Sequence, residues 1–532
     1  MIGVQLVPSS RFDISLKESL HVNPVTDPQR RQWPTLFGTS SAICGALMQI
    51  AEARHSSNLL TCLESIHGDG RSSLTTPSST AYKTDRYGFN LIFNYKPSAI
   101  YHPATEADAA AAIQCAAAFN VAVAPRSGGH SYEAYCQGGK DGALVIDLDL
   151  LQRFELDSKT AIATVGAGTR LGPLFSRLWD VGKFLIPVGT CPSVGIGGHA
   201  LGGGLGMTGR KYGMASDNVV GMRLITANGT ILNVNATTQP DLFWALRGAG
   251  GGSFGLVTEF QIQAYKAPRK VTTVLINYPL SKYSEVLDAY ADLAQTATDD
   301  LMAEMNLNAE GIEIQVNFLG PKRRAQSAVD SLYQRIGSRP SSIKLHEGTW
   351  LEAATQWGWM RGGTLEDPVL GDARYARGRS LVYRKAMSRE EKNTIYRYLR
   401  QQPEGSSAAY IIVDIWGGKI DKPNSASAFD NHRGVVLGIE FISEWGNPTS
   451  KPGLTCPDCL TWSTNFARDM QAAYSSGPLE AYQNYIDRDL PKSLHAYYGK
   501  NLPRLRQIKK AIDPGNVFTF PQAIPLPDTT AS

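Results

Sequence analysis

Between Pro187 and Gly206 the chain reads PVGTCPSVGIGGHALGGGLG, and this stretch narrows the folds open to the whole sequence. Gly195, Gly197, Gly198, Gly202, Gly203, Gly204 and Gly206 surround one imidazole, His199, and follow one thiol, Cys191. Glycine is used this densely where backbone takes unusual φ/ψ values or lies against a ligand. The segment is therefore expected to be a loop pressed against a large flat cofactor, with Cys191 as its covalent anchor.

A chain of 532 residues has room for two or more domains. Its hydrophobic content of 42% and charged content of 19% are those of a globular enzyme. A net charge of +4 gives no sign of a nucleic-acid partner. No apolar run reaches the roughly 20 residues that span a bilayer, so no membrane partner is expected. Residues 1–55 read as a poorly ordered leader. Within it Arg30-Arg31, the apolar Ala42–Ile50 and Ala51-Glu52-Ala53 have the order of a secretory signal, or equally of an ordinary helix. The cysteines number seven, an odd count, so at least one thiol has no internal disulfide partner. Cys456 and Cys459 have CxxC spacing, which suits a loop disulfide or two idle thiols better than zinc.

Further along, Asn90–Asn94 reads as a strand. Thr105 is a candidate N-cap, with Asp108 three residues on, for an alanine-rich helix reaching Phe119. Val121–Pro125, Ala143–Leu148 and Ala161–Val165 read as strands and Leu171–Val181 as a helix. Asn228-Gly229 between two β-favouring runs predicts a hairpin. From Val271 to about Ser475, strands such as Thr272–Asn277 and Ile312–Phe318 alternate with helices such as Ser281–Thr296, predicting a second, α+β domain. Leu502–Ile512 reads as a helix stopped by Asp513-Pro514-Gly515.

Two motifs invite other functions. Gly204–Gly209 is a literal GxGxxG, but no strand precedes it as a dinucleotide fold requires. Gly251–Gly255 matches GxSxG, yet the β-favouring Leu256–Phe260 follows where a nucleophile elbow needs a helix. A turn before a strand explains it better. His130 and His199 each follow Gly-Gly, and nothing local nominates a third metal ligand, so no metal site is expected. His130 and Cys191 are also both nucleophiles able to attack a flavin. Composition alone leaves these readings open.

Arg126-Ser-Gly-Gly-His130-Ser-Tyr and Gly189-Thr-Cys191-Pro-Ser-Val-Gly-Ile-Gly-Gly-His resemble the two flavin-attachment motifs of the berberine bridge enzyme-like oxidases. These belong to the vanillyl-alcohol-oxidase-type flavoproteins. Asp241–Gly255, Tyr498–Asn501 and Asp513–Phe518 extend the resemblance, which runs from about Leu60 to Pro525 and is nearest in texture to fungal oligosaccharide oxidases. It implies an α+β fold: a two-subdomain FAD-binding domain of PCMH type over 56–270, a substrate domain over 271–475 with an antiparallel sheet backed by helices, and a C-terminal segment, 476–526, returning to the flavin domain. It implies FAD bonded through its 8α-methyl carbon to His130 and through C6 to Cys191. Cofactor contacts would come from Arg126, Ser127, Gly128, Gly129, Ser131, Gly195, Gly197, Gly198, His199, Gly204, Val257, Tyr498 and Asn501. The glycines would let backbone N–H groups reach the pyrophosphate.

Carried over in the same way, Tyr485 would be the base that deprotonates the substrate hydroxyl as hydride passes to the flavin, with Asp414 beside it. A free phenol has a pKa of about 10, and a neighbouring carboxylate raises it. Asp414 can therefore help only by hydrogen bonding or by taking up the proton. Val194 would admit oxygen, giving an oxidase that releases hydrogen peroxide. Cys62 and Cys115 match a cysteine pair that is bridged in relatives, which favours an oxidising, secreted location; Asn228-Gly-Thr and Asn235-Ala-Thr are candidate glycosylation sites. In the substrate pocket Tyr132 keeps the sugar-oxidase pattern. That pattern's arginine and glutamate become Glu304 and Asn306, its tryptophan and glutamine become Tyr410 and Ile412, and a further glutamine becomes Glu440. The expected activity is oxidation of a small natural product by a monomer, ahead of oxidation of a sugar hemiacetal; a catalytically idle flavin-fold binding protein is the reading from another class.

Overall fold

The computed structural model describes residues 58–66, 70–360, 364–366, 373–404, 408–422, 426–446 and 456–527. The expected leader and Cys44 lie outside the described residues.

Four short strands form the first sheet: β1 (Ser73–Thr75), β2 (Ala99–His102), β3 (Val123–Arg126) and β4 (Leu144–Asp147), in the order β1-β2-β4-β3. β4 runs parallel to both β2 and β3, so the chain must cross over between those two. The crossover is the helix Glu106–Ala118. Its first turn is capped as the sequence predicts: Asp108 N–H donates to Thr105 Oγ1 at 3.1 Å. Ala109, Ala110, Ala111, Ala112 and Ala116 on it are buried. The Cys62–Cys115 disulfide ties it to the helix Leu59–Glu64 across 53 residues of sequence. A loop of that length lowers the entropy of the unfolded chain by about 4 kcal/mol at room temperature.

The chain continues through β5 (Phe154–Asp157), β6 (Ile162–Gly166), β7 (Phe184–Leu185), β8 (Val219–Ile225), β9 (Ile231–Asn235), β10 (Leu256–Gln263) and β11 (Tyr265–Lys266). β7 and β11 pair as a ribbon; the others form an antiparallel sheet in the order β5-β6-β10-β8-β9. The Asn228-Gly229 turn joins β8 to β9, and Gly229 sits at φ +83°. Gly251–Gly255 is a turn leading into β10, as its β-favouring sequel requires.

The third sheet holds β12 (Val271–Tyr278), β13 (Leu301–Asn308), β14 (Ile312–Phe318), β15 (Ser342–Gly348), β16 (Tyr375–Tyr383), β17 (Ala408–Ile415) and β18 (Leu437–Trp445). All its pairings are antiparallel, in the order β15-β12-β14-β13-β17-β18-β16. The helix Tyr283–Thr296 buries Val286, Leu287, Tyr290 and Leu293, and Tyr290 OH reaches Val413 O at 3.0 Å. After β18 the chain returns to the first two sheets. Val123 N–H donates to Val517 O at 2.8 Å, and the fully buried Lys509 ammonium is bonded by Asp513 (2.6 Å), Ser253 O and Phe518 O.

Two expectations need correction. Asn90–Asn94 is not a strand: only Asn90 forms a bridge, to Arg374, while its amide donates to Tyr132 O and Ala376 O. Those side-chain bonds pin the segment without a ladder. The glycine-rich stretch is also not loop throughout, since Ile196–Leu201 is a short helix. The disulfide or idle thiols left open at Cys456 and Cys459 resolve as a disulfide.

Candidate active site

β3 ends at Arg126, and Ser127–Ser131 runs on from it against the Cys191 loop. The two backbones nearly touch. A Cβ on Gly128 would stand 2.2 Å from Gly195 N, and one on Gly195 would stand 2.1 Å from Ser127 Oγ. Glycine is required at both positions by this approach. Ser127 Oγ donates to Ala167 O at 2.6 Å and accepts from Gly197 N–H at 3.3 Å. Arg170 holds the two loops together, donating to Ser193 O at 2.6 Å and to Gly128 O at 3.3 Å. Ser193 Oγ lies 2.9 Å from His130 Nε2, and the imidazole stacks on Phe89 with ring centroids 5.0 Å apart.

His130 and Cys191 line one cavity of about 700 Å³, together with Ser127–Ser131, Gly195, Gly197 and Gly198. Burial first, then the charges of Arg170 and Arg374, push the His130 pKa down to about 3. Its imidazole is neutral at neutral pH, the form with a nucleophilic lone pair. His199 lines the same cavity, and burial lowers it to about 4. Its Nε2 accepts from Gly189 N–H at 2.9 Å, which places its proton on Nδ1. Cys136 and Cys191 are thiols rather than disulfide partners.

One face of the third sheet closes the cavity. Strand register explains the composition of this wall, because alternate residues share a face. Glu304 on β13 stands opposite Asp414 on β17; Asn306 stands opposite Ile412, which in turn faces Glu440 on β18. All of these line the cavity with Tyr410 and Glu444. Tyr410 OH donates to Glu444 at 2.9 Å, and Glu444 pairs with Arg374 at 2.7 Å. Against this wall Tyr485 stacks on Tyr132, with centroids 6.0 Å apart and planes 11° from parallel. Burial, then the carboxylates Glu440 and Asp414, hold the Tyr485 hydroxyl well above its ordinary range. Tyr132 is raised by burial and by Glu440.

Ion pairs centred on two buried arginines lie beside the two tyrosines in sequence. Arg377 bonds Glu133 (2.8 Å) and Asp489 (2.5 Å), while Arg379 bonds Asp487 (2.9 Å) and Asp489 (2.9 Å). Arg488 closes the set on Glu133 at 2.6 Å. Glu133 follows Tyr132 in sequence, and Asp487 lies two residues after Tyr485.

The cavity gathers most of the expected residues. Ser131, Val194, Val257 and Tyr498 line it too, and Tyr498 OH donates to Ala249 O at 2.9 Å. Three of the expected cofactor contacts are placed elsewhere. Arg126 turns behind its loop, bonded to Asp85 (2.7 Å) and Asp147, because a buried guanidinium needs carboxylate partners. Asn501 donates to Ala428 O at 2.9 Å. Gly204 gives its N–H to Tyr482 OH at 2.8 Å, outside the lining. Arg170, Ser193, Phe89, Arg374 and Glu444 were not singled out by sequence. Only strand register and loop contact bring them to the site, and neither is readable one residue at a time.

FAD fits this set of residues. Glycine backbone forms one wall, a Cβ on Gly198 would meet nothing within 4 Å, and two nucleophiles face the same space. When bound, FAD supplies a hydride acceptor.

Comparison with known proteins agrees. Residues 97–235 match a model described as "FAD binding domain", and residues 481–525 match one described as "Berberine and berberine like". The chain is 33% identical to the xylooligosaccharide oxidase of Thermothelomyces thermophilus, across 85% of this chain and 92% of that one. Among solved structures it is similar to BBE-like 1 of Physcomitrella patens, with a TM-score of 0.79, 32% identity, and 89% and 100% of the two chains covered. It is also similar to the glucooligosaccharide oxidase of Acremonium strictum, with a TM-score of 0.79, 28% identity, and 88% and 99% covered; that protein carries a 6-S-cysteinyl, 8α-N1-histidyl FAD. The chain belongs to the berberine bridge enzyme-like family of FAD-linked oxidases.

Proposed function

We propose that this FAD-dependent oxidase removes a hydride from a hydroxyl-bearing or related carbon of a small organic substrate and passes the electrons to O2, releasing H2O2. One observation supports this above the others: a single cavity is lined by both His130 and Cys191 and by Tyr485 with Asp414. FAD is held covalently at His130 and Cys191. Tyr485 takes the substrate proton, and Asp414 receives it in turn or bonds the phenol. A phenol held above its ordinary range is a poor base at rest. Proton transfer therefore accompanies hydride departure and does not precede it. Tyr132 and Phe89 orient the substrate, and Val194 leaves room for O2.

Residues 56–270 bind FAD, 271–475 supply the substrate wall and 476–526 carry Tyr485 back to the flavin. The wall of Glu304, Glu440, Ile412 and Tyr410 suits a tailoring oxidase of secondary metabolism. Oxidation of a sugar hemiacetal to a lactone is the second reading, favoured by the 33% identity to a xylooligosaccharide oxidase. The two disulfides suit an oxidising, secretory location. A peroxide assay on the purified holoenzyme tests the proposal. Release of H2O2 with xylo- or chito-oligosaccharides selects the second reading. Peroxide from other alcohols alone supports the first, and no flavin reduction by any alcohol or sugar contradicts both.

A further inference from the structure

His130 has two ring nitrogens, and only one carries a lone pair when the imidazole is neutral. Which one is available decides whether the ring can bond to a flavin methyl carbon, and through which atom. The structure holds the ring in two directions. Phe89 stacks on its plane at an interplanar angle of 21°, and Ser193 Oγ meets its edge at Nε2, 2.9 Å away. Ser193 is itself fixed. It is buried, and its carbonyl takes the 2.6 Å bond from Arg170, whose second bond goes to Gly128, two residues before His130. The loops of His130 and Cys191 are thus coupled through Arg170 and Ser193, neither of which is an attachment residue.

We propose that Ser193 is a positioning residue for covalent flavin attachment: by accepting a hydrogen bond from His130 Nε2–H it leaves the Nδ1 lone pair as the attacking atom. The inference rests on attachment at His130, proposed above. In the step His130 Nδ1 forms one N–C bond. One proton leaves the flavin methyl group and a second leaves Nε2 past Ser193. The two electrons released pass through the flavin to O2, which with both protons becomes H2O2.

The test removes the second anchor and reads attachment itself. Cys191→Ala, Cys191→Ala/Ser193→Ala and Cys191→Ala/Ser193→Thr proteins are loaded with FAD. Flavin retained after acid precipitation is then followed over time, and the His130 peptide is weighed. Cys191→Ala should keep flavin on His130, Ser193→Ala should slow attachment about tenfold or more, and Ser193→Thr should restore it. Equal rates in all three overturn the inference, as does equal loss in the alanine and threonine variants, which marks a merely structural role. If the alanine protein fails to fold, Cys191→Ala/Ser193→Val, the apolar isostere of the threonine variant, takes its place with the same expected slowing. An Nε2-linked flavin in the unaltered enzyme also overturns the inference. Absence of flavin from His130 in Cys191→Ala would overturn the His130 attachment reading first, and this one with it.

Discussion

Tyr485 is the base in the proposed mechanism, and its surroundings are unfavourable for one. Burial and the neighbouring carboxylates raise its hydroxyl. A phenolate is therefore not the resting form, and the proposed mechanism has the tyrosine take its proton only as the substrate's own C–H bond breaks. Tyr485→Phe keeps the stack on Tyr132 and removes the oxygen. It should leave flavin content unchanged and lower the rate of flavin reduction by about 10²–10⁴-fold, the usual worth of a positioned base. Stopped-flow reduction under anaerobic conditions measures this, and an unchanged rate removes Tyr485 from the mechanism. Val194 carries a separate prediction. A leucine there should slow reoxidation by O2 about tenfold or more while reduction stays near its original rate. Equal effects on both half-reactions would show that the position does not control oxygen.

At the scale of elements, the His130 loop depends on what lies beneath it. His102 at the end of β2 is hydrogen-bonded by Asp85 and Asp149 at 3.0 Å each, and Arg126 at the end of β3 pairs with Asp85 and Asp147. Burial alone would lower His102, but the bonds to Asp149 and Asp85 carry its pKa up to about 10. A group raised on folding contributes its full stability below its unfolded pKa, about 6.5, and loses it as pH rises toward the folded value. The melting temperature of His102→Gln should therefore fall furthest below the unaltered protein near pH 6, with the gap closing toward pH 10. A gap that widens with pH would contradict the assignment. On the acid side Asp85 acts with the opposite sign. Despite its burial, His102 and Arg126 hold it down to about 2, so its contribution is lost only as pH falls toward that value. Arg377–Glu133 and Arg379–Asp487 are buried on both sides, and breaking one partner of such a pair costs about 3–5 kcal/mol.

Across the whole molecule, local signals and long-range ones parted company. The Thr105 cap, the Asn228-Gly229 hairpin and the turn before β10 were legible because a few adjacent residues decide each of them. The close approach of the two glycine-bearing loops was legible from glycine crowding, whereas composition alone left the roles of His130 and Cys191 open. The acidic wall was not. Glu304, Asp414 and Glu440 come from three strands, and only the β13-β17-β18 register sets them side by side. Arg126 misled for a related reason: its place beside the attachment motif suggested a ligand contact, while its burial demanded Asp85 and Asp147. Asn90–Asn94 has strand-like residues, but Asn90 spends its amide on Tyr132 O and Ala376 O and no ladder forms.

The proposed attachment brings two nucleophiles, 61 positions apart in sequence, to one flavin. Precipitating the holoenzyme in acid, digesting it and weighing the peptides tests that most directly. The flavin should stay with the precipitate and be found on a product that joins the His130 and Cys191 peptides. Flavin released to the supernatant, with both peptides at their unmodified masses, would contradict it.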